Sequence, residues 1–215
     1  MSTRRPRGRP PKLSQDLILT KAEGFEIRSL SIVKLAKALN VTDAAIYYYF
    51  SSREALVRAL IDRESGMLAI PEINEQWWIG LKEYALRIYD MLVQRPGAAG
   101  CLVAGGITGP QQMQIFTSVI KMLVDAGFEP RNAVRVYALF VRAALQAAHA
   151  HDEREAAGGH ALFEAKRREL AETASQFAGI QISGFIGDEE LNDARKQLDF
   201  LLSVVTSGIM NSELV

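Results

Sequence analysis

The sequence predicts an all-α protein, and three observations lead to that fold class. Apolar residues recur at three-to-four spacing in one segment after another along the 215 residues. No stretch of any length alternates apolar and polar residues as a half-buried strand would. Serine or threonine stands directly before several helical segments, where a side-chain oxygen accepts a hydrogen bond from the first turn.

The best-defined segment is SIVKLAKALNVTDAAIYYYFSSR, residues 31–53. Ser31 and Thr42 are predicted to start two short helices, and Asn40 between them suits the left-handed conformation that ends a helix. The small Ala36 stands where the two helices would cross. Two short helices joined by a tight turn form a helix-turn-helix.

Further helices flank this motif. An amphipathic segment after Ser14 is predicted to brace the pair. A fourth helix begins at about Arg53, with Ser51 or Ser52 as its cap. Pro71 lies in the segment that we take as the domain boundary. The predicted parts are a basic disordered arm at 1–12, a helix-turn-helix domain at 13–65 and a helical C-terminal domain at 66–215.

The stretch LAKALNVTDAAIYYYFSSREALVRAL resembles the DNA-binding domain of tetracycline-repressor-type (TetR family) transcriptional regulators. The match rests on Leu35-Ala36, on IYYYF and on REAL, and it departs from the family pattern at Val33, at Asn40 and in the short connection EGFEIRS. That short connection means that the first helix is short or runs straight into the turn. The resemblance implies an N-terminal three-helix DNA-binding domain followed by a helical effector-binding and dimerisation domain.

The resemblance also implies which residues face DNA. Asp43 would accept a hydrogen bond from a cytosine amine, and Ala44 or Ala45 would contact a thymine methyl group. Tyr47 and Arg53 would bind phosphates, which position the protein without specifying a sequence. The DNA-contacting residues predicted in this domain are Ser31, Thr42, Asp43, Ala44, Ala45, Tyr47, Tyr49 and Arg53.

The three consecutive tyrosines cannot all face one way, because successive residues of a helix are about 100° apart. Ile46 and Phe50 take the core side of the helix. Tyr47 and Tyr49 are therefore expected to face solvent or DNA, and Tyr48 is expected to be structural.

The first 12 residues, MSTRRPRGRPPK, hold five cations, three prolines and no acid, so they are predicted to be disordered. Arg7 and Arg9 belong to an RGRP sequence that resembles the core of AT-hook segments, whose arginines enter a narrow A·T-rich minor groove. The alternative is a solubilising tail. Residues 1–60 hold 11 Lys/Arg against 5 Asp/Glu, and the remainder holds 14 against 20. A basic module on an acidic one suits polyanion binding.

The second half resembles the C-terminal domain of the same family more loosely, in the order of its helices and in the segment LVDAGFEPRNAVRVYALF. In that family the helix after AGF and the last helix pair with their copies in a partner subunit. Such pairing would explain why residues 132–150 are apolar on most sides, although a core helix of a monomer is the alternative. The implied effector pocket holds Trp78, Val103, Ile107, Phe116, Val119 and Tyr137, and the implied dimer interface holds Val141, Leu145, Leu198, Leu202 and Val205.

No catalytic residues, metal ligands or cofactor are predicted. His149 and His151 do not share a helix face, and neither they nor His160 stand at a zinc-type spacing with cysteine. Cys101 is the only cysteine, which fits a reducing cytoplasm. The sequence has no apolar segment typical of a secretory signal or a membrane span.

The sequence therefore predicts a homodimeric, cytoplasmic regulator that binds double-stranded DNA at a palindromic operator, a repressor that a small-molecule effector releases. One alternative is a similar DNA-binding protein controlled by a protein partner, and another is an all-helical enzyme. An enclosed apolar cavity in the C-terminal domain would favour the effector, and a filled core would favour the protein partner. Converging catalytic side chains would favour the enzyme.

Overall fold

The computed structural model describes residues 13–70, 76–105, 109–158, 165, 169 and 193–211. Within this part of the chain every regular element is helical, which confirms the predicted fold class. The elements are α1 (Gln15–Ala22), a 3₁₀ turn (Ile27–Ser29), α2 (Ile32–Leu39), α3 (Asp43–Tyr47), α4 (Arg53–Ser65), α5 (Trp77–Val93), α6 (Ala98–Gly105), α7 (Pro110–Asp125), α8 (Pro130–Ala156) and α9 (Ala194–Met210). None of these helices is both long and apolar enough to cross a membrane.

Side-chain caps confirm the predicted helix starts. The hydroxyl oxygens of Ser31 and Thr42 accept hydrogen bonds from the first turns of α2 and α3, each at 3.2 Å. Ser52, rather than Ser51, caps α4 through a bond of 3.1 Å. Asn40 ends α2 with a φ of 55°, in the left-handed conformation that the turn requires.

The first three helices share one small core. Ile18 of α1, Leu35 of α2 and Ile46 of α3 are completely buried in it. The connection before α2 is short because α1 ends at Ala22 and the 3₁₀ turn follows, with Ile27 buried beneath the turn. This arrangement holds α3 against α2, with its outer side open to solvent.

α8 is the centre of the C-terminal domain. α5, α6, α7 and α9 all pack against it, and α9 also packs against α5. Ion pairs fix α9 on α5, between Lys82 and Asp199 at 2.9 Å and between Arg195 and Asp90 at 2.7 Å. These four helices bury most of the apolar residues of α8, although Val134 and Leu139 remain 41% and 46% exposed.

Most residues predicted for the dimer interface lie inside the protomer, and this corrects the prediction. Leu198 and Leu202 of α9 are 2% and 0% exposed, and Val141 and Leu145 of α8 are 2% and 7% exposed. Val205 is partly buried. The reason is that α9 carries apolar residues on two faces, and the face with Leu198 and Leu202 packs against α5 and α8.

The other face of α9 is open. Phe200 is 71% exposed, Leu201 48% and Val204 52%, and on α8 Leu139 is 46% exposed. We call the surface formed by Phe200, Leu201 and Val204 the α9 outer face. It is the apolar surface of α9 that a partner can reach.

Candidate DNA-binding surface and ligand cavity

α3 presents a short outer surface that begins at its cap. Thr42 and Ala44 are exposed, and Asp43 and Ala45 are partly buried. Tyr47 at the end of the helix is half-exposed, as predicted. Small residues followed by an aromatic hydroxyl leave the backbone of α3 free to approach a groove closely, with the tyrosine beside it.

The two tyrosines after Tyr47 exchange the places that the sequence predicted for them. Tyr48 is 83% exposed, whereas Tyr49 is partly buried and its hydroxyl donates a 2.8 Å hydrogen bond to the Leu13 carbonyl. The rings pack edge to face, 5.1 Å apart. The helical spacing continues past Tyr47, because Tyr48 keeps α-helical backbone angles and its N–H bonds the Ala44 carbonyl at 3.0 Å. At about 100° per residue, Tyr48 lies opposite Ile46 and Phe50 whereas Tyr49 lies nearer to them, so the prediction assigned these two tyrosines to the wrong sides.

The bond to Leu13 holds the first described residue of the chain next to the end of α3. Arg7 and Arg9, predicted to enter the minor groove, lie outside the described residues.

Arg53, predicted to bind a phosphate, is 30% exposed and binds groups within the protein. Its Nε donates a 2.7 Å bond to the Leu30 carbonyl, and its guanidinium also bonds the Ile27 carbonyl. The fork of Arg53 thus binds a carbonyl at each end of the 3₁₀ turn, of which the Ile27 carbonyl also accepts the Leu30 N–H, and it fixes α4 to the connection before α2. Its Nη1 lies 3.9 Å from the Cys101 sulfur, so α6 of the C-terminal domain contacts the same group.

A cavity of about 540 Å³ lies between α6, α7 and α8. Three of the residues predicted for an effector pocket line it, namely Val103, Phe116 and Tyr137. Val119 and Trp78 are not among its lining residues. Val119 is completely buried, and Trp78 packs edge to face on Trp77. Ile107 lies outside the described residues. The remaining lining residues are Leu102, Ala138, Val141, Arg142, Leu145 and Gln146, of which Val141 and Leu145 were predicted for the dimer interface.

The inner wall of this cavity is aromatic. The rings of Phe116 and Tyr137 pack edge to face, 5.3 Å apart. Burial raises the pKa of Tyr137, and it raises the pKa of Tyr84 further, well above the usual tyrosine range; the two hydroxyls hydrogen-bond each other. Both phenols are therefore neutral at physiological pH.

A second cavity of about 580 Å³ lies between α1, α4 and α5. Met67, Leu68 and Met91 form its apolar part. Its charged lining residues already pair, since Arg95 lies 2.7 Å from Glu64, Arg63 lies 3.4 Å from Glu23 and Arg195 lies 2.7 Å from Asp90. The first cavity, which has an aromatic wall, is therefore the stronger candidate for a ligand site.

The two domains meet at a buried carboxylate. Asp62 of α4 is 6% exposed and accepts hydrogen bonds from the backbone N–H groups of Gln112, at 2.9 Å, and Gln111, at 3.3 Å. α7 has no cap of its own, because Gly109 has no side chain and Pro110 has no N–H. A carboxylate from the N-terminal domain thus caps a helix of the C-terminal domain.

This contact requires glycine at position 109. A Cβ atom on Gly109 would lie only 2.0 Å from Cγ of Asp62. One turn further along α4, Ser65 contacts the side-chain amide of Gln112 at 3.4 Å. Tyr84 and Tyr137 join Ser65 and Gln112 around a small cavity of about 20 Å³, so polar groups connect α4 with the wall of the ligand cavity.

A second contact between the domains is made by the backbone carbonyl of a residue whose carboxylate is also buried. Asp152 of α8 is 3% exposed, and it accepts a 2.8 Å bond from the N–H of Gly97, just before α6. Its carbonyl accepts a 2.5 Å bond from Arg28, in the 3₁₀ turn of the N-terminal domain. His149 and His151 lie on the same helix, and no group of three metal-ligating side chains occurs in the described part of the chain.

Sequence reasoning missed Asp62, Gln112, Asp152 and Arg28 as residues that connect the domains. Each acts through a partner more than 45 residues away, so no local spacing indicates it.

Comparison with known proteins follows the same division of the chain. The profile described as "Bacterial regulatory proteins, tetR family" matches residues 24–60, and "Tetracyclin repressor-like, C-terminal domain" matches residues 70–210. Over 112 residues the chain is 38% identical to the class G tetracycline repressor of Vibrio anguillarum, covering 49% of this chain and 51% of that protein. It is 30% identical over 112 residues to the class A repressor from transposon 1721 of Escherichia coli, covering 50% and 51%. The chain thus spans about half the length of the curated relatives it matches.

Solved structures share the fold across nearly the whole chain. ActR of Streptomyces coelicolor in complex with actinorhodin superposes with a TM-score of 0.77 at 20% identity, covering 93% of this chain and 96% of that one. A TetR variant from Acinetobacter baumannii in complex with minocycline gives a TM-score of 0.68 at 22% identity, covering 93% and 97%. Since the second profile alone spans more than half of the sequence, the chain belongs to the TetR family, whose members are DNA-binding transcriptional regulators.

Proposed function

We propose that this protein is a homodimeric transcriptional repressor that a small molecule, bound in the cavity between α6, α7 and α8, releases from its operator. The observation that carries the proposal is the position of the cavity. α6 and α7, which form two of its walls, both pack against α4, the last helix of the DNA-binding domain. A cavity of about 540 Å³ is within the usual size range for small-molecule sites.

On DNA, α3 enters the major groove with Thr42, Ala44 and Tyr47 facing the duplex. Asp43 is the candidate for a cytosine amine, and Ala44 is the candidate for a thymine methyl group. The exposed Tyr48 takes the phosphate-binding place that we first expected for Arg53. Bacterial operators are cytoplasmic, so the protein would act there.

The α9 outer face is our candidate for the dimer interface. Phe200, Leu201 and Val204 form an exposed apolar surface at helical spacing, and such surfaces commonly mark protein–protein contacts. A two-fold dimer would present two α3 helices to half-sites separated by about 34–36 Å or a multiple of that distance, hence a palindromic operator.

Release from the operator follows from the thermodynamic linkage between ligand binding and DNA binding. A ligand shifts the protein toward the geometry to which it binds more tightly, and it weakens operator binding by that difference in affinity. In this structure Phe116 of α7 lines the cavity, and the first turn of α7 is bonded to Asp62 of α4. Movement of α7 on ligand binding would therefore move α4 and the DNA-binding domain with it.

Selection of random duplex DNA by the purified protein tests the DNA half of the proposal. We expect an inverted repeat whose half-sites are one helical turn, or a small multiple, apart. Recovery of a single unrepeated site, or of no preferred sequence, would contradict the dimeric repressor.

A reporter strain tests the ligand half. With the selected operator controlling a fluorescent protein, a compound library should contain molecules that induce the wild-type strain. The Ala138→Phe variant, which fills the cavity, should repress normally and fail to respond to those molecules. Induction that is equal in both strains would show that the ligand binds elsewhere.

A further inference from the structure

The described side chains that line the ligand cavity carry a net positive charge. Its walls are formed by the rings of Phe116 and Tyr137 and by aliphatic side chains. Among the lining residues that the structure describes, Arg142 is the only charged one, and Gln146, one turn further along α8, is the nearest polar one on that helix.

No acid of α8 neutralises Arg142. Between Pro130 and His151 this helix has three arginines and no Asp or Glu, so no carboxylate lies within a turn of Arg142 on either side. Nor does any ion pair within the described part of the chain include it. Tyr137 adds no negative charge to the wall, because burial raises its pKa. A guanidinium next to an apolar wall therefore sets a positive potential in the cavity.

We propose that the ligand of this cavity is an aromatic molecule that carries an anionic oxygen group, such as a carboxylate or sulfonate. Arg142 binds that group and the rings pack against Phe116 and Tyr137. The inference rests on the proposed function, since it specifies the ligand class of the same cavity. The planar fork of arginine fits a two-oxygen anion in a bidentate manner, and edge-to-face aromatic packing favours a planar ligand over a branched aliphatic one.

Two fluorescent probes with the same ring system test this assignment on the full-length protein. 8-Anilinonaphthalene-1-sulfonate carries one negative charge, and N-phenyl-1-naphthylamine is the same skeleton without the sulfonate. We expect wild-type protein to bind the sulfonate. Arg142→Gln should weaken binding of the sulfonate about fivefold, which is the range for a partly exposed ion pair. It should leave the affinity for the neutral probe unchanged.

Matched variants separate the cavity from the rest of the surface. Arg135→Gln removes another exposed cation of α8 that does not line the cavity, and it should leave both affinities unchanged. Ala138→Phe should remove the binding of both probes. If Ala138→Phe fails to fold, Val103→Phe provides the same test, because Val103 lies at an exposed part of the lining.

The outcomes distinguish the two proposals. If both filled variants remove binding but Arg142→Gln leaves the ratio of the two affinities unchanged, the anionic ligand class is wrong and the cavity remains the ligand site. If Arg135→Gln weakens the sulfonate as much as Arg142→Gln does, the effect comes from the overall charge of α8 and the assignment to Arg142 is wrong. If neither filled variant affects either probe, the cavity is not the site and the proposed function fails with it.

Discussion

Removing the carboxylate of Asp62 should destabilise the protein at the contact between its two domains. In Asp62→Ala the backbone N–H groups of Gln111 and Gln112 lose their acceptor, and a small void forms where Asp62 is 6% exposed. In Asp62→Asn one amide oxygen remains to accept a bond, but the negative charge at the N-terminus of α7 is lost. The two substitutions therefore separate the hydrogen bonds from the charge.

The distances set the expected magnitude. The bond from Gln112 at 2.9 Å is a good charge-assisted hydrogen bond, whereas the bond from Gln111 at 3.3 Å is weak. One strong bond and the interaction with the helix dipole give about 3 kcal/mol for Asp62→Ala. For Asp62→Asn, which keeps an acceptor, we expect about 1–2 kcal/mol.

Urea unfolding at one fixed protein concentration measures these losses, and hydrogen exchange locates them. The amide of Gln112 should exchange faster in both variants, because its bond to Asp62 holds the first turn of α7. Asp16→Asn is the matched control. Asp16 is also an acid in the first turn of a helix, but its side chain is 83% exposed, and its ion pair with Arg63 is worth less than about 1 kcal/mol.

Gly109→Ala offers an independent test of the same contact. It leaves every bonding group in place, but its Cβ would lie 2.0 Å from Cγ of Asp62, so α4 and α7 must separate. We expect it to increase exchange at the start of α7 as Asp62→Ala does. The reasoning is refuted if Asp62→Ala costs no more than Asp16→Asn, or if neither Asp62→Ala nor Gly109→Ala changes exchange there.

Three further predictions concern DNA binding and assembly. Deleting residues 1–12 removes five cations, so the log–log slope of operator affinity against salt should fall by about 4, as measured by fluorescence anisotropy; an unchanged slope means that the arm is only a tail. Tyr48→Ala should weaken binding to all duplexes without changing the melting temperature, whereas Tyr49→Phe, which loses the bond to Leu13, should destabilise the protein by about 1 kcal/mol; the reverse pattern would contradict the assignment. Leu201→Glu should give folded monomers in sedimentation, whereas Leu202→Glu, with its charge buried in the protomer, should unfold the protein; a stable dimer of Leu201→Glu would show that the α9 outer face is not the interface.

The features that sequence predicted well are those decided within one helical turn. Ser31 and Thr42 cap their helices, because a capping oxygen and the backbone N–H that donates to it lie three residues apart on the chain. Asn40 takes the left-handed conformation at the end of α2. The whole helix-turn-helix could be predicted for this reason. The choice between Ser51 and Ser52 could not, since either hydroxyl has a first-turn amide within reach.

Choices that depend on another helix were predicted poorly. Leu201 and Leu202 are equally apolar, and only the packing of α9 on α5 and α8 decides which of them is buried. Arg53 turns inward because the 3₁₀ turn, 23 residues earlier in the chain, leaves the Leu30 carbonyl free. Phe116 and Tyr137, which the sequence predicts for an effector pocket, line the cavity, but its outer side, with Arg142, has the composition of an ordinary solvated helix face.

The two buried carboxylates suggest how one cavity can control the orientation of a whole domain. Asp152 holds the N–H of Gly97 just before α6, and Asp62 holds the N-terminus of α7, so both of these cavity walls are anchored where they begin. Each anchor also reaches the DNA-binding domain, one through Arg28 and the other because Asp62 belongs to α4. A ligand that separates α6 from α7 would therefore act on the DNA-binding domain at two points, the 3₁₀ turn before α2 and the last turn of α4. Opposed displacements at two separate points produce a rotation, and we expect rotation of the DNA-binding domains, more than translation, to change the distance between the two α3 helices of a dimer.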